Sequence, residues 1–156
     1  MGSIKGKIRS VRILIDTNII IDVALIREPF FADSDRILKF SEQGNLEGYI
    51  SGSTFSDFYY ILRKSRGKDW TLQFLQKLVS FCNIATVDDR VIRQALTSNI
   101  QDFEDAIQYS AAIASELDGV VTRNPKDFTD KTIPVFTPKK LIETIESESN
   151  SSKVAG

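Results

Sequence analysis

Asp16, Asp57, Asp102, Asp105 and Asp127 are the residues best suited to chemistry, because each falls where a strand would end or a helix would open. Asp16 follows the β-branched run Val11-Arg12-Ile13-Leu14-Ile15 and leads into Thr17-Asn18. Asp57 lies in the first turn of a helical pattern after Gly48-Tyr49-Ile50, and Asp102 and Asp105 open another. Asp127 closes Thr122-Arg123-Asn124-Pro125-Lys126-Asp127, just beyond the run Gly119-Val120-Val121. Carboxylates gathered at one place raise one another's pKa unless a cation neutralises them. Mg²⁺ or Mn²⁺ suits an all-oxygen set, keeping several waters and bridging one or two carboxylates to substrate phosphates. Such an ion activates water for in-line attack on a phosphodiester.

Composition removes the main alternatives. The 156 residues include no histidine and one cysteine, Cys82. A Ser/His/Asp or Cys/His nucleophile system, a histidine acid/base pair and a zinc site of histidines or four cysteines are therefore excluded. One cysteine permits no internal disulfide, in keeping with a reducing compartment. A hydrophobic content of 42% over this length fits one domain with a full core. No apolar stretch approaches the ~18 to 20 residues that span a bilayer. Lys5, Lys7, Arg9 and Arg12 interrupt the N-terminus where a signal peptide would be apolar, so the expected location is cytoplasmic. A net charge of −1 argues mildly against binding nucleic acid by bulk charge, leaving a local basic face or a metal to attract it.

The elements that must position these acids alternate. Short apolar runs predict five strands, at Val11–Ile15, Gly48–Ile50, Ile84–Val87, Gly119–Thr122 and Ile133–Phe136. Helical patterns cover Ile19–Leu25, Ser34–Gln43, Thr54–Lys64, Trp70–Phe81, Asp89–Thr97, Phe103–Leu117 and Lys139–Ile145. This alternation predicts an α/β fold of three layers, α/β/α, around a central parallel sheet of four to five strands. Residues 1–10 read as an N-terminal extension, 11–145 as the domain, and the Ser- and Glu-rich 146–156 as a flexible tail. In such sheets the site lies outside the C-terminal ends of the strands, where strand order reverses.

A plainer reading competes at three of the positions. Thr54…Asp57, Asp102…Asp105 and Asn124…Asp127 each place an acid three residues after a capping residue, which is how a helix N-terminus is stabilised. Asp16, directly after a buried strand, has no such simple explanation.

From Ile13 to about Ile145 the sequence resembles a PIN domain of the VapC-like toxin type. The pieces are Ile13-Leu14-Ile15-Asp16-Thr17-Asn18, Ser53-Thr54-Phe55-Ser56-Asp57, Asp105-Ala106-Ile107-Gln108-Tyr109-Ser110-Ala111-Ala112, and Val121-Thr122-Arg123-Asn124 through Asp127-Phe128. The resemblance implies a ribonuclease in which Asp16, Asp57, Asp105 and Asp127 face a Mg²⁺ or Mn²⁺ site, with Asp16 and Asp105 as principal ligands. Thr17, Asn18, Thr122 and Asn124 would support that site. The family usually has Glu at the second acid, where Asp57 is a methylene shorter, and many members carry an acid where Asn124 stands; Asp102 could compensate. Arg123 and Lys126 would contact RNA phosphates, while Arg63, Lys64, Arg66 and Lys68 read better as solvated cations at a helix C-terminus. The aromatics Phe55, Phe58, Tyr59, Tyr60, Trp70 and Phe74 read as core, or by resemblance as a homodimer or antitoxin face. A dehalogenase-type phosphatase needs a second Asp where Asn18 stands, and a receiver domain needs an acidic pair after the first strand. The remaining alternative is a PIN-like module that binds RNA or protein without cutting.

Overall fold

The computed structural model describes residues 10–155. Most of the expected N-terminal extension falls outside them; Ser10 donates from its hydroxyl to the Gly44 carbonyl (2.8 Å). The strands are β1 (Arg12–Ile15), β2 (Glu47–Ser51), β3 (Cys82–Ala85), β4 (Gly119–Val121) and β5 (Val135–Phe136). All pair in parallel, in the order β3-β2-β1-β4-β5. Helices α1 (Thr17–Ala24) and α2 (Phe31–Gln43) join β1 to β2, and α3 (Phe55–Arg66) and α4 (Lys68–Phe81) join β2 to β3. Helices α5 (Asp89–Leu96) and α6 (Phe103–Ala114) lead to β4, and α7 (Pro138–Ala155) follows β5. This is the expected PIN-like α/β architecture, at the five-strand end of the range.

The central strand shows why the sheet is buried on both faces. Side chains alternate along a strand, so Ile13 and Ile15 enter one core with Ile19, Ile37 and Phe58, while Leu14 enters the other with Val91, Ala106 and Tyr109. Val121 and Val120 divide in the same way. Gly48 allows close approach on the first face: a Cβ there would stand 2.8 Å from Ser41 Oγ and 2.9 Å from Ile15 Cδ1. Ser41 Oγ instead accepts the Gly48 N–H (3.1 Å), which ties α2 to β2.

Several boundaries differ from the sequence expectation, and three of them have a clear physical reason. β3 starts at Cys82, two residues before Ile84, because the buried Cys82 pairs with Gly48 while Ile84 sits half-exposed on the edge strand. α6 stops at Ala114, before Leu117, because Glu116 takes a left-handed φ of 57° that a helix cannot continue. α7 runs on to Ala155, so residues 146–155, expected as a flexible tail, continue a helix anchored by buried Leu141 and Ile145 and by an Arg36–Glu146 ion pair. No helix among the described residues is long and apolar enough to cross a membrane.

Strand order reverses between β1 and β4, because the chain first builds outward through β2 and β3 and then returns to the other side of β1. A crevice therefore opens beyond the C-terminal ends of β1 and β4. Asp16 and Thr122 are the residues that leave those two ends.

Candidate metal centre

Asp16 is 4% exposed and held on both carboxylate oxygens by neutral donors. Gln108 Nε2 donates to Oδ1 (3.0 Å) and Thr122 Oγ1 to Oδ2 (2.9 Å). Asp16 precedes α1 at the N-cap position, yet its side chain makes no capping bond. Burial pushes its pKa up; bonds from Gln108, Thr122 and the Thr17 backbone, and the more remote Arg123 charge, pull against that. Burial without a paired cation costs a carboxylate far more than a hydrogen-bonded neutral group. Thr17 Oγ1, next in sequence, is buried without a hydrogen-bond partner.

The N-terminus of α6 brings the other acids. Asp102 caps it, its Oδ1 accepting the Asp105 N–H (2.9 Å), so there the capping reading is realised. Asp105 itself is half-buried, and its carboxyl is pushed up to about 7, first by burial and then by the charges of Asp16, Asp102, Asp127 and Glu104. The exposed Glu104 is also raised, by burial first, then by Asp57 and Asp102, by a hydrogen bond with Asp57 and by Asp16. These cross-influences gather acids from β1, α3, α6 and the turn after β4 into one field.

At the other two positions the capping reading is not realised. Thr54 makes no side-chain capping bond and donates instead to the Ser51 carbonyl (2.8 Å), leaving Asp57 half-buried beside Glu104. Asn124 makes no side-chain cap for the short turn Pro125–Asp127; its backbone N–H donates to Thr122 Oγ1 (3.2 Å). Thr122 thus links Asp16 to the loop that carries the exposed Asp127. Asn18 lies half-buried in the first turn of α1.

Arg123 is placed differently from the substrate contact expected of it. Its Nε and one terminal nitrogen grip Asp22 (2.8 and 3.2 Å), and its guanidinium lies 3.9 Å from the Phe30 ring centroid. Asp22 is wholly buried, also accepts from Ser34 Oγ (3.1 Å) and has Arg27 at 3.9 Å. Lys126 remains exposed on the loop beside Asp127. Away from the crevice, Arg63 lies over the Tyr59 and Tyr60 rings and Arg66 over Trp70, which stacks on Phe74. Phe58 is fully buried and Tyr60 largely exposed, so that aromatic set divides between core and surface.

Sequence reasoning passed over Glu104, Gln108 and Asp22. Glu104 was readable as a third acid in Asp102-Phe103-Glu104-Asp105, and Gln108 as a polar residue one turn beyond Asp105 in an apolar helix. Asp22 gave no comparable signal, since its partner Arg123 is remote in sequence.

The donor set fits a hard divalent cation. It is all oxygen, its acids repel one another, and Gln108 Oε1 and Thr17 Oγ1 beside Asp16 are buried without partners. No three acids among the described residues stand close enough to hold an ion as a closed cage.

An open parallel sheet with acids gathered at its switch point is the class of domain that fold and site define. A family model described as PIN domain matches residues 12–126, and the chain belongs to the PIN domain family, whose members are generally nucleases using divalent metals. The chain is 27% identical to one in a toxin–antitoxin complex from Klebsiella pneumoniae, over 80% of this chain and 96% of that one, with a TM-score of 0.60. The VapBC2 structure from Rickettsia felis, bound to a promoter DNA fragment, matches at 18% identity over 81% and 98% (TM-score 0.60). VapC20 of Mycobacterium tuberculosis, described as a sarcin–ricin loop cleaving toxin, matches at 11% over 69% and 86% (TM-score 0.55). These last two share the fold. Among curated proteins nothing matches.

Proposed function

We propose that this chain is a Mg²⁺- or Mn²⁺-dependent endoribonuclease and the toxin of a toxin–antitoxin pair. The observation that carries the reading is Asp16: a buried carboxylate at the switch point, bonded only to neutral donors, near an Asp105 whose carboxyl is pushed up to about 7 by burial and then by the neighbouring acids. Asp16 and Asp105 would hold the cation directly, with Asp57, Asp127 and Glu104 acting directly or through water. The bound cation supplies an activated water and charge stabilisation for phosphodiester hydrolysis.

The chain's own groups do the rest. Gln108 and Thr122 keep Asp16 in one orientation, and Thr17, Asn18 and Asn124 shape the strand ends around it. Lys126 is free to meet an RNA phosphate, whereas Arg123 contributes by holding the loop against Asp22. RNA is favoured as substrate by the motif resemblance, and an antitoxin partner by the Klebsiella chain's membership of such a complex.

The test is cleavage of labelled structured and single-stranded RNAs with Mg²⁺, Mn²⁺ or EDTA, using Asp16→Asn and Asp105→Asn as controls. Metal-dependent cleavage lost in both variants is the expected result. Intact RNA, or variants that cut as well as wild type, would favour a non-cutting PIN-like binding module.

A further inference from the structure

Gln108 stands in an unusual position for an amide. It is 2% exposed on α6, surrounded in sequence by buried Ala106, Ile107, Tyr109, Ala111 and Ala112, and its Nε2 reaches across to Asp16. Its other polar atom, Oε1, is buried with no partner, and the only similarly orphaned side-chain atom among the described residues is Thr17 Oγ1. A buried acceptor left unmet carries the desolvation cost of its lost hydrogen bonds to water with nothing in return. A leucine or methionine would fill comparable space without that cost, so core packing alone does not account for glutamine. Both orphaned atoms belong to residues that touch Asp16, one through its side chain and one through its backbone. The unmet bonds are thus concentrated where the cation is expected, and stability is lost at the one place where function gains.

The geometry explains what the amide does. An ionised carboxylate accepts about four hydrogen bonds, two on each oxygen. Gln108 occupies one position on Oδ1, Thr122 one on Oδ2 and the Thr17 backbone N–H a third, so the carboxylate plane is fixed and about one of the four positions stays open. Nε2 can only donate, so it favours the charged form that a cation needs. Asp105 lies three residues before Gln108, on the same face of α6, so one helix turn sets both principal acids relative to one another. We infer that Gln108 is a positioning residue for the cation site, holding the Asp16 carboxylate in one orientation with a position left open for the metal. This rests on the nuclease reading above.

The test measures Mn²⁺ binding by electron paramagnetic resonance, without RNA, for the wild type, Gln108→Met, Gln108→Leu and Asp16→Asn, with thermal unfolding of each. Gln108→Met is expected to stay folded, because it keeps shape and removes the orphaned oxygen. Its Mn²⁺ affinity should fall ~10- to 100-fold, the usual loss when a group orienting a ligand is removed. With RNA, kcat should fall at limiting Mn²⁺ and recover as Mn²⁺ is raised, while KM for RNA stays unchanged. A folded Gln108→Met or Gln108→Leu that binds Mn²⁺ within twofold of wild type overturns the inference and leaves the nuclease reading intact. A wild type that binds no Mn²⁺ removes both. Should both variants unfold, Mg²⁺ titration of the wild type followed by NMR decides: the Gln108 side-chain N–H signals should move with the Asp16 carboxyl signal at one midpoint, and still signals would overturn it.

Discussion

Asp16 and Asp22 are both buried aspartates, six residues apart, yet they end in opposite situations. Asp22 receives a two-pronged grip from Arg123, a hydroxyl bond from Ser34 and the nearby Arg27, so its charge is met by cations of the protein itself. Asp16 receives bonds only from the amide of Gln108, the hydroxyl of Thr122 and a backbone N–H, and its pKa is raised. A buried charge matched from within is architecture. One held only by neutral groups is prepared for a cation from outside.

The sharpest way to break this comparison is to neutralise each member. Asp16→Asn should lower metal-dependent RNA cleavage by more than about a hundredfold, since losing a ligand should cost at least as much as losing the group that orients it, while stability in metal-free buffer stays equal or rises because a desolvated charge is removed. Rate assays and urea denaturation on the same preparation check both halves. Asp22→Ala should do the reverse, costing ~3–5 kcal/mol by leaving Arg123 without its partner, with cleavage per folded molecule reduced far less. Equal behaviour of the two variants would erase the distinction.

A pH series sharpens it further. Asp105 has a carboxyl raised from 3.8 to about 7, so between those values the folded state holds a proton that the unfolded chain releases. Stability of the metal-free protein from this group is therefore greatest below about pH 4 and declines as pH rises toward 7. Excess Mg²⁺ should flatten that decline, and Mg²⁺ affinity should itself climb with pH up to about 7. Thermal unfolding from pH 4 to 8 with and without Mg²⁺ measures it, and an unchanged slope would show that the ion does not meet Asp105.

Two smaller effects separate ligands from their neighbours. Asp102→Ala should cost ~1 kcal/mol by removing the α6 cap, with cleavage largely retained. Glu104→Gln should change stability by less than about 1 kcal/mol and lower the Asp105 pKa by removing one repelling charge, detectable by NMR titration. A large loss of cleavage in Asp102→Ala would instead make that residue a ligand.

The legibility of this protein followed the range of its interactions. Strand β1 could be read from Val11 to Ile15 because burial on both faces demands an unbroken apolar run, and the acid that ends it stood out for the same reason. β3 was misplaced by two residues, since an edge strand half-exposed at Ile84 carries a weaker pattern than the pairing of Cys82 with Gly48. The three capping positions looked alike in sequence, and only the fold separated Asp102, which caps, from Asp57 and Asp127, whose preceding Thr54 and Asn124 do not.

By itself, the sequence determined the fold class, the exclusion of histidine chemistry and the order of the acids, because strand periodicity, helix periodicity and residue type are local properties. The tertiary structure alone decided which charges are matched. Arg123 meets Asp22 from 101 positions away and Gln108 meets Asp16 from 92. Electrostatic interactions depend on distance in space and on the water excluded between the groups, and neither is written in the spacing of residues along the chain.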